Sequence, residues 1–430
     1  MALDLAAPSR VGRPILKRRF GWILFAAALL VRLAYLALVP QPPVTFDARK
    51  YVAVALAAPL AIANPALWSD STARAQIDFH LLYEDLIADE DVAWFPYAFP
   101  NYDDALNHLY AVGPVYPAFL GAIFRLTPHW DFWVVRVLQA MLDSLTVVLI
   151  WIVMSRLISA AGGIMAAGLW TVYGPAIYKC GELITETVSI LLGVIILWLL
   201  IRAHERHRVG RVIVAGVLTG ILTLTKASAS ALVVLLAVGW ILANRRQPKW
   251  AAVGALGMLA ASALVVAPWF LVIHWRYGVY AIRDPSYSGG NFRQANIVAA
   301  EGYNLDLAPD DFWTFPVWRE MKAHPSDYLL LYLRKFYRTW VRASDEFRRG
   351  FPVGYAGTEA MQHLIVLLAV FGVFLWPTRA GPVAWLPVSF VAYFAGVHTV
   401  MHALSRYNLV AMPMLCGAAA IGTFWVLGDN

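Results

Sequence analysis

Ala251–Ile273 reads AAVGALGMLAASALVVAPWFLVI, 23 residues without a charge. About 20 apolar residues carry a helix across about 30 Å of hydrocarbon. The stretch therefore predicts a membrane span. Phe20–Val39 and Ser405–Leu427 are blocks of similar length. Over the 430 residues, 60% are hydrophobic and only 14% are charged. A soluble domain carries about 25% charged residues. These features exclude a soluble globule.

The net charge is +7. In a soluble protein such a charge points to nucleic acid, but here the bilayer accounts for it. Lys and Arg gather in three short loops, Arg10–Arg19, Arg202–Arg211 and Arg245–Lys249. Short cytoplasmic loops keep such residues, so all three are assigned to the cytoplasm. Candidate spans are 20–39, 133–155, 161–178, 183–202, 210–226, 227–243, 251–273, 359–376, 382–400 and 405–427. The first follows Arg13, Lys17, Arg18 and Arg19, and Pro40, Pro42 and Pro43 come after it without a small-x-small cleavage site. It reads as a retained helix, not a signal peptide.

Val115–Leu126 decides the topology. A twelve-residue span here would make the count between the first two basic loops odd and export Arg202–Arg211. It is therefore expected to lie in or dip into the outer interface. The predicted fold is an all-α polytopic membrane protein of about ten spans, a single domain over 1–430, with both termini inside. Two large outer loops remain, 40–132 and 274–358, with interfacial helices. The first is acidic and aromatic. The second is rich in Trp, Tyr and Arg. Loops of this size usually carry function. No internal repeat is visible, which weighs against an inverted-repeat transporter. Cys180 and Cys416 both fall in apolar segments, with no disulfide framework or metal-ligand spacing.

Five constellations carry possible chemistry. In Thr45-Phe46-Asp47-Ala48-Arg49-Lys50-Tyr51, Thr45 is a plausible N-cap for a helix to about residue 60. Asp47, Lys50 and Tyr51 then share one helical face. Next comes Lys179-Cys180-Gly181-Glu182-Leu183-Ile184-Thr185-Glu186. Its two glutamates are one turn apart and are expected to face one cavity. A carboxylate in an apolar run is a functional hypothesis by default, and Glu186 is the deeper one. The alternative is an interfacial charge paired with Lys179. The third is Lys226, among Thr223, Thr225 and Ser228 at a tight hairpin. An ammonium with hydroxyls suits a phosphate, whereas the bland reading is a snorkelling lysine. The fourth is Arg136, on one face with Gln139 and Asp143, where a structural ion pair is the plain alternative. The fifth is Ser405-Arg406-Tyr407 followed by Pro413. Arg276, Arg283, Arg293 and His324 are further phosphate candidates.

The order of these features resembles the C-type membrane glycosyltransferases. It is most similar to the protein O-mannosyltransferase superfamily and its bacterial relatives, including the lipid A aminoarabinose transferase. The likeness covers nearly the whole chain. Asp47 to Tyr51 resembles the acidic first-loop motif, and Gly113-Pro114-Val115-Tyr116-Pro117 the Pro-rich juxtamembrane segment. Val134-Val135-Arg136-Val137-Leu138-Gln139-Ala140 resembles the arginine-bearing helix start, and Leu183-Ile184-Thr185-Glu186 the second acidic position. Leu222-Thr223-Leu224-Thr225-Lys226 looks like the hairpin cation that meets lipid phosphate. Ser405-Arg406-Tyr407 with Pro413 is similar to the last-helix signature. Two positions depart from the pattern. Ala48 stands where the first motif often has a second acid. Val112-Gly113 stands where the aminoarabinose transferases carry Glu-Lys. The sugar and acceptor of that branch are therefore not transferred.

The resemblance implies transfer of a sugar from a polyprenyl-phosphate donor to an acceptor hydroxyl, on a glycan, glycolipid or protein, at the outer face of the plasma (inner) membrane. The reaction is expected to be a single inverting displacement, with Asp47 as general base and Glu186 orienting the acceptor or sugar. Lys226, Arg136, Arg276 and Arg406 are expected to hold the donor phosphate. Lys50, Tyr51, Tyr116 and Tyr407 are expected to position the substrates. No cofactor is expected, and no ligand cluster argues for a divalent cation. Membrane lipids are the expected surroundings, and no nucleic-acid partner is expected. A lipid-linked sugar flippase or transporter is the competing class, with a scaffold protein third. A transporter predicts charges along a midplane path. An enzyme predicts Asp47, Glu186 and Lys226 together at one end.

Overall fold

The computed structural model describes residues 14–39, 46–64, 102–127, 131–299, 316–343 and 352–427. Among these residues every regular element is a helix. Helix α1 is Pro14–Leu38, α2 Phe46–Ala63, α3 Tyr102–Val112, α4 Val115–Leu126 and α5 Phe132–Leu157. Then follow α6 Ala160–Thr171, α7 Gly174–Gly181, α8 Glu186–Arg206, α9 Val209–Thr225, α10 Leu232–Ala243 and α11 Pro248–Tyr277. The last are α12 Pro285–Ala295, α13 Val317–Ala323, α14 Pro325–Trp340, α15 Pro352–Ala380, α16 Trp385–Val400 and α17 Met412–Val426.

All ten candidate spans fall on helices, but not all are single long rods. Six helices are long and apolar enough to cross alone. The expected span 161–178 is α6 and α7 bent by 51°. The spans expected at 210–226, 227–243 and 405–427 are shorter apolar helices. Val115–Leu126 is also short, and packs on α2 instead of standing as a rod.

The described parts of the three basic stretches gather at one end of the bundle. His204 Nδ1 of α8 lies 2.9 Å from Asn244 Oδ1 at the end of α10, which joins the second and third. Arg156 at the end of α5 meets Glu205 at 3.2 Å. Phe20 near the start of α1 packs edge-on to Trp151 of α5 at 5.2 Å. Glu186 stands at the other end of α8, which is about 30 Å long at 1.5 Å per residue.

Lipid is as apolar as leucine, so helices in it associate by close packing and by polar contacts. Helices α15 and α17 show the first device. A Cβ on Gly372 would collide with the Ala418 carbonyl, and one on Gly422 with the Leu368 carbonyl. The second device is a buried clasp. Arg32 Nε donates to Asp143 Oδ2 at 2.6 Å, and Trp170 Nε1 donates to Asp143 Oδ1 at 3.1 Å. This corrects the alternative reading in which Arg136 pairs with Asp143. The ion pair of Asp143 is with Arg32 of α1, because Asp143 lies two turns below Arg136, level with the first span.

The first-loop helices have their own core. Ala48, Val52, Ala53, Leu56, Tyr102, Tyr116, Leu120 and Phe132 are buried together. Tyr102 Oη donates to Ala57 O at 2.6 Å, tying α3 to α2. The second loop begins on this layer. Asp284 N donates to Tyr110 O at 2.8 Å, and Trp269 Nε1 donates to Ile282 O at 2.7 Å. These contacts fix residues 282–284 over α3.

Candidate active site

Four element ends meet at the end of the bundle away from the basic loops. Asp47 stands in the first turn of α2, where the exposed amides favour a carboxylate. Thr45, its expected cap, lies outside the described residues. Glu186 opens α8 in the same way. Lys226 closes α9 as its C-cap, where the helix carbonyls favour a cation. Arg406 and Tyr407 lie on the 3-10 turn Ser405–Val410, just before α17.

The side chains form a continuous run. Arg406 Nη2 donates to Asp47 Oδ2. The Arg406 guanidinium carbon and Lys226 Nζ each lie 5.2 Å from the centre of the Tyr407 ring. Lys226 Nζ donates to Glu186 Oε1 at 3.1 Å. Lys226 and Glu186 are buried, while Asp47 keeps a side-chain exposure of 33%. The two cations share the tyrosine ring as a common wall, and each is paired with one carboxylate. Burial works to raise the Asp47 carboxyl, but the Arg406 guanidinium, and after it Lys50, overcomes this and holds it below the usual carboxylate range.

A supporting layer lies beneath. Tyr51 packs edge-on to Tyr116 at 5.0 Å. Tyr116 Oη donates to Gln139 Oε1 at 2.9 Å. Gln139 Nε2 donates to Cys180 O at 3.1 Å and Glu182 O at 2.8 Å, and Arg136 Nε donates to Gly181 O at 3.0 Å. Gln139 and Arg136 therefore hold the strand of chain that leads into Glu186.

Several expectations are corrected by this geometry. Glu182 and Glu186 do not share a face. Glu182 is the extended cap of α7 and bonds Lys179, while Glu186 begins the next helix and bonds Lys226. A one-turn spacing puts two residues on one face only when both lie in the same helix. The threonines beside Lys226 are not presented with it. Thr225 Oγ1 donates to Ile221 O at 2.8 Å and Thr223 Oγ1 to Ala229 O at 3.2 Å.

The second-loop cations divide. Arg283 acts on the cluster electrostatically, through Tyr51. Burial raises the Tyr51 phenol, Asp47 and Glu186 add to the rise, and Arg406 and Arg283 oppose it. Arg276 is exposed, with its guanidinium 5.8 Å from the Tyr277 ring. His324 is exposed at the end of α13, 4.0 Å from Glu320.

Gly113 explains the departure at Val112-Gly113. Its φ is +85°, and a Cβ there would lie 2.7 Å from the Leu224 carbonyl oxygen. Only glycine gives both the left-handed turn and this approach. The contact seats the start of α4 against the turn that carries Lys226. Sequence reading missed His398, whose ring stacks on Tyr407 at 4.8 Å and 15°. A histidine inside an apolar helix was the available signal. Among the described residues, no three His, Cys, Asp or Glu side chains gather as a metal site.

Residues 111–272 match the family described as dolichyl-phosphate-mannose-protein mannosyltransferase. The match includes Tyr116, Arg136, Glu186 and Lys226, and stops short of Asp47 and Arg406. No curated protein matches the chain by sequence. Among solved structures, the fold is similar to the archaeal oligosaccharyltransferase AglB from Archaeoglobus fulgidus, in complex with an inhibitory peptide and a dolichol-phosphate. The TM-score is 0.56 at 10% identity, over 96% of this chain and 51% of that one. The same Archaeoglobus fulgidus enzyme tethered to an acceptor peptide with an NVT sequon gives 0.56 and 10%, over 97% and 51%. The chain therefore spans about half the length of these structures. The resemblance to the C-type membrane glycosyltransferases holds, and the fold is theirs.

Proposed function

We propose that the protein is a multi-pass glycosyltransferase of the plasma membrane. It moves a sugar from a polyprenyl-phosphate donor to an acceptor hydroxyl on the face opposite the basic loops. One observation carries this reading: Asp47, Glu186 and Lys226 are joined through Arg406 and Tyr407 at one end of the bundle. A transporter would need its charges along the crossing path. The basic loops mark the cytoplasmic side, so the cluster faces outward, where a lipid-linked donor presents its phosphate.

In the proposed reaction the Asp47 carboxylate takes the acceptor's proton as its oxygen attacks the anomeric carbon. The bond from that carbon to the phosphate oxygen breaks. The polyprenyl phosphate leaves with the electron pair, and the configuration inverts. Lys226 and Arg406 both lie close to the Tyr407 ring, and would stabilise the charge that develops on the leaving phosphate. Glu186 orients the acceptor or sugar. Arg283 is a better candidate than Arg276 for a second-loop contact.

The same two cations hold the two carboxylates in the structure. A donor phosphate would compete for them. Losing part of Arg406's charge would raise the basicity of Asp47, so donor binding would also activate the base. This resolves how a carboxylate with a depressed pKa can serve as a base.

The test uses the purified chain in proteoliposomes with labelled polyprenyl-phosphate sugars and envelope acceptors. Release of polyprenyl phosphate that depends on the acceptor supports transfer. Movement of intact donor across the bilayer without release would establish the transport alternative.

A further inference from the structure

The turn that carries Arg406 and Tyr407 belongs to neither of the helices around it. Helix α16 ends at Val400, α17 begins at Met412, and residues 405–410 between them form a 3-10 turn. Such turns have poorer hydrogen-bond geometry than an α-helix. Helix α14 grips this one from outside. Lys335 and Thr339 lie one turn apart on the buried face of α14. They reach the chain on opposite sides of Arg406.

Thr339 is the downstream anchor, because its carbonyl accepts a hydrogen bond from Asn408 Nδ2. Lys335 is the upstream anchor. It is wholly buried, and its Nζ donates to Val400 O at 3.1 Å and to Ala295 O at 3.0 Å. These carbonyls end α16 and α12. The last carbonyls of a helix lack partners within it and favour a cation. One amine thus closes two helix ends at once. Asn296 Nδ2 adds a bond to Val400 O at 3.0 Å, and Tyr332 Oη of α14 donates to Asn296 Oδ1 at 2.9 Å. A methionine at 335 would fill the space without the cost of burying an amine. Packing alone therefore does not call for lysine.

The upstream anchor leads to the two cations of the site. His398 lies in the last turn of α16, next to the held carbonyl. Its ring stacks on Tyr407 at 4.8 Å and 15°. Lys226 Nζ and the Arg406 guanidinium carbon each lie 5.2 Å from the centre of that Tyr407 ring. Ala295 makes the second connection. It ends α12, whose start is anchored over α3 by the Asp284 amide.

We propose that Lys335 is a positioning residue for donor binding. It holds the end of α16, and with the Asn408 bond to Thr339 it brackets residues 400–408 between two points of α14. The bracket sets the Tyr407 ring, and with it the places of Lys226 and Arg406. Through Ala295 it also ties the site to the second outer loop. Lys335 itself touches no substrate. The proposal rests on the reading of Lys226 and Arg406 as the cations of the donor phosphate.

The full chain in proteoliposomes tests this, with amide hydrogen exchange and with titration by a polyprenyl phosphate, the leaving group alone. Lys335→Met should quicken exchange across 401–411 by about tenfold, the scale of one lost hydrogen bond. It should weaken polyprenyl phosphate by a similar factor and leave exchange at 203–208, the far end of the bundle, unchanged. Asn408→Leu, which frees the other anchor, should act in the same direction. It carries both measurements if Lys335→Met does not fold. The proposal is overturned if both variants exchange at the wild-type rate over 401–411. It is also overturned if exchange there quickens while polyprenyl phosphate binds as tightly as before, or if exchange quickens equally at 203–208, which marks general loosening. A wild-type protein that binds no polyprenyl phosphate would instead sink the functional reading, and exchange confined to 401–411 would still uphold the bracket.

Discussion

Arg406 bonds the carboxylate of Asp47 across 359 residues of chain, and so joins the turn before α17 to the start of α2. The pair closes a run that continues through Tyr407 and Lys226 to Glu186. Each member sits at the end of an element and is held there by backbone geometry. The cluster is therefore preorganised, with its two carboxylates paired before any substrate arrives.

The pairing sets the pH dependence. Asp47 has a depressed pKa in the folded chain, so its ionised form persists as pH falls. What it contributes is present above the ordinary carboxylate value of 3.8 and lost only below it. In kcat/KM, which reports the free enzyme, the acid limb of Asp47 should lie below 3.8. In kcat, which reports the donor complex, it should lie at higher pH, because the phosphate draws on Arg406. Coincident acid limbs in the two profiles would remove the proposed activation by donor.

Lys226 and Glu186 form a buried pair at 3.1 Å. Removing one partner leaves an unpaired charge, at a cost of about 3–5 kcal/mol. Lys226→Met and Glu186→Gln should each lower the thermal midpoint. The double variant should be less damaged than the sum of the two. Donor binding should fall with Lys226→Met and change little with Glu186→Gln. Additive stability losses in the double-variant cycle would show that the pair is not coupled.

Arg406→Lys keeps the charge but loses the planar fork. It should weaken donor binding and reduce turnover by at least about tenfold, since lysine cannot offer a phosphate two parallel bonds. Full activity in a lipid-linked transfer assay would show that the guanidinium geometry does not matter.

Gly113→Ala should be destabilising by about 1 kcal/mol or more, from left-handed backbone and from crowding of the Leu224 carbonyl. The seat of Lys226 should loosen with it. Thermal unfolding together with donor titration measures both effects. Unchanged values in both would mean that the α4 contact does not position Lys226.

Much of the architecture was legible in the sequence. Apolar blocks located the helices, and the basic loops marked one common end of the bundle. Asp47, Lys226, Glu186 and Arg406 were each visible as charges at the edge of apolar runs. What spacing could not supply was the partner across the bundle. Asp143 was grouped with Arg136 because they share a helix, yet its partner, Arg32, comes from the first span, 111 residues away. The break between α7 and α8 was also hidden, so Glu182 and Glu186 read as neighbours on one face. Arg276 and Arg283 were indistinguishable until the second loop was anchored at Asp284 over α3. Helical periodicity reports faces, while pairing depends on depth and on which helices adjoin.

The central claim is that Asp47 takes a proton from the acceptor in sugar transfer. The most direct measurement is single-turnover transfer from a labelled polyprenyl-phosphate sugar by wild-type protein and by Asp47→Asn, with donor binding measured alongside. Asparagine keeps the size and a hydrogen bond but cannot accept the proton. The account predicts that Asp47→Asn still binds the donor and transfers sugar about 10²- to 10⁴-fold more slowly. Transfer at the wild-type rate by Asp47→Asn would contradict it.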